Sequence, residues 1–147
     1  MKYIVYETLN DQQYKKLLNF AFLYSEHFSI CTFKYHRKNL SDEYYSFMNE
    51  IEKYRKDKYE FILPKHYEKG QKYHVYSLNE ETKKCICKVQ SIYSWHPPCY
   101  PEDLSFYHQK NFWMNFISHE KIILVNARDR KIINLFHELG IPLIEDI

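Results

Sequence analysis

The sequence predicts a layered α+β fold: a single globular domain spanning residues 1–147, with helices packed on a mixed β-sheet and a C-terminal β-hairpin plus helix. Three observations carry this expectation. Apolar residues switch repeatedly between period-two and helical spacing along the chain. A length of 147 residues, with 45% hydrophobic and 27% charged residues, suits one well-buried core. Near the C-terminus, two apolar runs are joined by only Ser118, His119, Glu120 and Lys121, a connection that fits antiparallel neighbours.

Taken in order, residues 2–7 form a Tyr- and β-branched-rich run, a strand expected to be buried on both faces. Asn10 offers an N-cap, and Gln13 three residues later completes a capping-box pattern. Tyr14, Leu17, Leu18, Ala21 and Phe22 then recur at helical spacing, which predicts a helix over 11–27. Residues 28–36 alternate, with Cys31, Phe33 and Tyr35 on one face of a second strand.

Leu40 and Ser41 make a hydrophobic staple and an N-cap for a solvated second helix carrying Tyr44, Met48, Ile51 and Arg55. Residues 59–71, with Pro64 and Gly70, read as loop, and 72–78 as a third strand. Asn79 caps a third helix that runs until Pro97 and Pro98 must end it. The segment 94–107 reads as a stiff, proline-rich, acid-tipped loop. Runs 112–117 and 122–125 form the hairpin, and a last helix carries Ile132, Leu135, Phe136 and Leu139. Gly140 stands where a left-handed residue closes a helix, and 142–147 supply a short edge strand.

Composition excludes several functions. Only two Gly, Gly70 and Gly140, are present, so neither a dinucleotide fingerprint nor a P-loop can be written. A net charge of +2 gives little field for nucleic acid. No stretch approaches the roughly 20 apolar residues of a membrane span, and the first residues lack a signal peptide's apolar core. A cytoplasmic location with reduced thiols at Cys31, Cys85, Cys87 and Cys99 is expected. The fifteen Tyr and ten Phe, beside two Ala, match what an AT-rich coding sequence produces, so they do not by themselves argue for an aromatic binding surface.

The chemistry-bearing residues are sparse. Cys85 and Cys87 sit two apart on an expected helix, pointing about 200° from one another, and cannot chelate one ion. His96 and Cys99 have half-site spacing, but zinc would need further ligands from Cys31, His74, His108 or His119. No metal and no cofactor are expected. Basic segments 53–58 and 83–88 alternate with acidic or apolar residues, as solvated helix faces do. Trp95, His96, Glu102 and Asp103 on the stiff loop, with His119 and Glu120 at the hairpin tip, are the candidate binding residues, because rigid aromatic loops lose little entropy on binding. The same loop would also suit a sheet edge that needs covering. Glu102, Asp103, His108 and His119 are the acid/base groups available to a hydrolase or transferase if the fold gathers them.

The stretches Tyr93-x-Trp95 and Pro101-Glu102-Asp103-Leu104, the aromatic run around Trp113, and Ser118-His119-Glu120 resemble a family of small uncharacterised proteins of Bacillus and its relatives. A fainter likeness covers Glu7-Thr8-Leu9 and the first helix. Some members carry a label borrowed from a membrane-anchored sporulation protein, and this chain has no segment to match that label. The resemblance implies a shared fold and a low-GC Gram-positive or phage origin, and brings no activity with it. The sequence therefore points to a non-enzymatic binding or accessory protein of the immunity or anti-defence type, acting on a protein partner and not on membrane or nucleic acid. The alternative is the small hydrolase or transferase.

Overall fold

Residues 1–33, 39–64 and 70–146 are described by a computed structural model, in which the alternating patterns become one eight-stranded sheet. The strands are β1 (Lys2–Val5), β2 (His27–Phe33), β3 (Arg55–Lys56), β4 (Gln71–Ser77), β5 (Glu102–His108), β6 (Asn111–Ile117), β7 (Ile122–Asn126) and β8 (Ile144–Glu145). Their order across the sheet is β3-β4-β2-β5-β6-β7-β1-β8. All neighbouring strands are antiparallel, which corrects the expected mixed sheet, and an isolated parallel bridge joins Ile62 to Asn111. The helices are α1 (Asp11–Tyr24), α2 (Asp42–Ile51), α3 (Glu80–Cys87) and α4 (Arg130–Glu138). None of them is long and apolar enough to cross a membrane.

Local chemistry sets the helix starts. Asn10 and Gln13 exchange side-chain bonds with one another's backbone N–H at 2.8 and 2.9 Å, forming the capping box of α1. Asn79 and Thr82 do the same for α3, Ser41 caps α2, and Asp129 caps α4. Gly140 takes φ +70° just past α4, and Ile141 N–H reaches back to Phe136 O at 3.0 Å.

Strand register explains why all four helices lie on one face. One row of cross-strand partners runs Arg55, Tyr76, Phe28, Phe106, Met114, Val125, Tyr3, Glu145. Its central members are large and apolar, and they pack with Leu17, Ala21, Phe47, Ile86 and Phe136 of the helices in the main core. The next row alternates to the opposite face: Lys56, Val75, Ser29, Ser105, Asn115, Leu124, Ile4, Ile144. Here the centre is small and polar. Phe61 covers Val75, Tyr107 and Phe112 on that face, and Leu63 packs against them and against Cys31, Phe33 and Tyr73.

Several expected boundaries shift. Helix α1 stops at Tyr24 because Glu26 N–H donates to Tyr107 O at 3.1 Å and His27 already belongs to β2. The strand expected over 28–36 is seen to Phe33, and its last residues lie outside the described ones. Helix α3 ends at Cys87, not before Pro97, since Ser91 Oγ accepts from Tyr93 N–H at 3.2 Å and starts a separate 3₁₀ turn, Ile92–Ser94. The largest correction is β5: residues 102–107, expected in a loop, are a fully buried central strand.

Candidate functional site

The two sequence segments that stand out, 101–104 and the turn 118–120, meet in space. Asp103 adopts φ 56°, a left-handed conformation unusual for a residue other than glycine, where the β2–β5 register shifts. Its backbone N–H donates to Ser118 Oγ at 3.0 Å, and Ser118 N–H donates to Asp103 Oδ1 at 2.9 Å. This reciprocal pair joins β5 to β6 beyond the end of their ladder at Ser105 and Asn115. The other carboxylate oxygen, Oδ2, accepts from Gln71 Nε2 at 2.8 Å, and the same amide lies 3.4 Å from Cys31 Sγ. Asp103 is thus held at once by β4 and by Ser118, the residue that follows β6.

Around it lies a buried polar cluster. Ser105 Oγ donates to Asn115 Oδ1 at 2.8 Å, and Ser29 Oγ shares a 2.8 Å bond with the Tyr107 hydroxyl. Burial pushes the Tyr107 and Tyr73 hydroxyls and the Cys31 thiol up, so all three stay protonated near neutrality. A buried, protonated thiol is a poor nucleophile.

The expected binding residues divide into buried and exposed groups. Trp95 is fully buried: its indole Nε1–H donates to the Tyr14 hydroxyl at 3.0 Å, and its ring meets Phe47 edge-on at 5.5 Å. Glu102 and Asp103 are buried at 7% and 0% exposure, so the acid-tipped recognition loop is instead the start of a central strand. Glu102 lies opposite Cys31 across the β2–β5 pair. His96 is exposed, with Nδ1–H donating to Pro97 O at 2.7 Å. His119 and Glu120 are exposed neighbours on the β6–β7 turn, 4.0 Å apart.

His108 does not join the other acid/base candidates. It stands at the far end of β5 from Asp103, five residues or about 17 Å along the strand. There its Nδ1 contacts Tyr24 O at 2.7 Å and Glu26 Oε2 at 3.2 Å, and its ring stacks on Tyr24 at 4.1 Å. Among the described residues no three His, Cys, Asp or Glu side chains are grouped to hold a metal. Cys85 is buried and bonded to Glu50 Oε2 at 3.0 Å, while Cys87 is exposed. The two basic segments are partly neutralised across α2 and α3, with Lys53 on Glu81 at 3.2 Å and Lys88 on Glu50 at 3.1 Å.

A second surface was not evident from the sequence. On the helix-free face, Ile4, Ile122 and Leu124 are half-buried, and Ile144 is 52% exposed. Ile144, Ile4 and Leu124 are successive partners across β8, β1 and β7, and Ile122 lies two residues before Leu124 on the same face. The β6–β7 turn with His119 and Glu120 leads directly into Ile122. Compared with protein families, curated proteins and solved structures, the chain matches none.

Proposed function

We propose that this chain is a non-enzymatic binding or accessory protein, of the immunity or anti-defence type, that meets a protein partner through the helix-free surface of β7, β1 and β8 and the adjoining turn at His119 and Glu120. The observation that supports this reading is the apolar row Leu124, Ile4, Ile144, which no helix among the described residues covers, bordered by polar residues at the turn. An apolar centre with a polar border is the usual anatomy of a protein interface. The hydrolase or transferase alternative draws less support, because His108 is remote from the buried Glu102 and Asp103.

The test is affinity capture from a native host with the wild type and with two variants, Leu124→Asp with Ile144→Asp, and His119→Ala with Glu120→Ala. The expected result is a stoichiometric protein partner lost from the first variant and weakened in the second, with both melting temperatures close to wild type. Capture unchanged by the paired aspartates would refute the surface. Turnover of a substrate that depends on Glu102 or His119 would replace binding by catalysis.

A further inference from the structure

A cleft of about 540 Å³ opens between α1 and the chain that follows α3, within the size range of small-molecule sites. Its walls combine apolar and hydrogen-bonding groups. Leu18 and Val89, both buried, supply the apolar part, and exposed Asn19 and Gln90 each bring an amide that donates and accepts. Asp11 and Lys15 stand one turn apart on the same stretch of α1 and contribute opposite charges, so the cleft favours neither an anion nor a cation.

Tyr14 is the most informative wall residue. It is only 2% exposed, and its oxygen accepts the Trp95 indole Nε1–H at 3.0 Å. A phenol carries one O–H to give as well as lone pairs to receive. Among the described residues no acceptor takes that proton. A ligand acceptor that enters the cleft can take this proton in place of solvent.

We propose that this cleft is a binding site for a small neutral molecule carrying an amide or similar carbonyl next to a short apolar arm. The carbonyl accepts from Tyr14, the arm lies on Leu18 and Val89, and Asn19 and Gln90 pair with the remaining amide groups. The site lies on the helical side of the sheet, apart from the protein-binding surface argued above, and the two stand or fall separately.

The probe is N-acetylvaline methylamide, titrated to about 10 mM, ten times a millimolar dissociation constant, while the Trp95 indole and backbone amide signals are followed by NMR. The expected result is a saturable shift of the Trp95 Nε1–H signal together with amides of residues 14–19 and 87–90, and slower alkylation of Cys87 in a Cys99→Ser background. Tyr14→Phe should abolish saturation. Since that change also removes the acceptor for Trp95, Asn19→Ala with Gln90→Ala, at exposed positions, provides a second variant that should weaken binding about tenfold without altering the melt. Absence of a saturable shift, equal binding by the Asn19 and Gln90 variant, or stronger binding of acetate or methylammonium would overturn the proposal.

Discussion

Asp103 keeps a left-handed backbone because three hydrogen bonds converge on it: from Ser118 N–H and Gln71 Nε2 to the carboxylate, and from its own N–H to Ser118 Oγ. Replacing it by Ala keeps the unfavourable φ, strands the buried Ser118 N–H and removes one partner of the half-buried Gln71 amide. A buried donor left unpaired costs about 1–3 kcal/mol. Asp103→Ala should therefore lower stability by about 1–3 kcal/mol in urea unfolding, and Asp103→Asn by less, because its amide retains an acceptor oxygen. A loss within about 0.5 kcal/mol, as at ordinary surface sites, would mean that the residue is held for another reason. His74 gives a second prediction. Burial first, then Arg55, Lys58 and Lys72, lower its pKa from 6.5 to about 4, while Thr32 Oγ1 lies 2.8 Å from Nε2. The unfolded chain thus binds more protons between pH 6.5 and about 4, so this contribution is fully present above pH 6.5 and is lost as pH falls through the window. Burial lowers His27 in the same direction. The wild-type melting temperature should fall across that window, and His74→Asn should flatten the decline; identical pH profiles would rule out His74 as a cause.

At the level of elements, what could be read from the sequence was what neighbouring residues encode. Caps at Asn10, Ser41 and Asn79, the stripe through Ile132, Leu135 and Phe136, and the β6–β7 hairpin all appear where the local pattern predicts them. Strand β5 was hidden because it is buried on both faces and follows Pro101, so no alternation marks it, and its register shifts beside Asp103. Its turn into β6 uses Gln109 and Lys110 at φ 51° and 67°, the backbone of a tight hairpin without the usual Asn-Gly signal. Strand β3 consists of Arg55 and Lys56, both exposed, whose charges gave no strand signal and whose pairing with β4 is set by distant contacts. The site was legible in the same partial way. Segments 101–104 and 118–120 stand out in composition, but their joining through Asp103 and Ser118, and the role of Gln71, depend on pairing that no local spacing records. Trp95 was misplaced for a related reason: a proline-rich neighbourhood suggests an exposed loop, whereas the indole had a buried acceptor waiting on α1.

Across the whole molecule, the two faces of the sheet divide the work of stabilisation. The helix-covered face buries large side chains at every central strand, and the opposite face joins β2, β5 and β6 through Ser29, Tyr107, Ser105 and Asn115. Strands β2, β5 and β6 are therefore held from both sides, by apolar packing and by polar bonds. At the margins the support falls away: β3 and β8 are pairs of exposed residues, each bonded to a single strand among the described residues. Local opening free energies in a folded domain range from near zero at such margins to the global value, typically about 5–15 kcal/mol, in the centre. Native-state hydrogen exchange should accordingly show the amides of Phe28, Phe106 and Met114 exchanging only through global unfolding. The β1–β8 amides should open earlier, leaving the row from Ile144 to Leu124 the most readily rearranged part of the sheet. Under the proposed function, a partner docking beside β8 would meet the least costly strand to displace. Protection of β8 equal to that of β5 would show instead that the edge is locked, and binding there would have to proceed on a rigid surface.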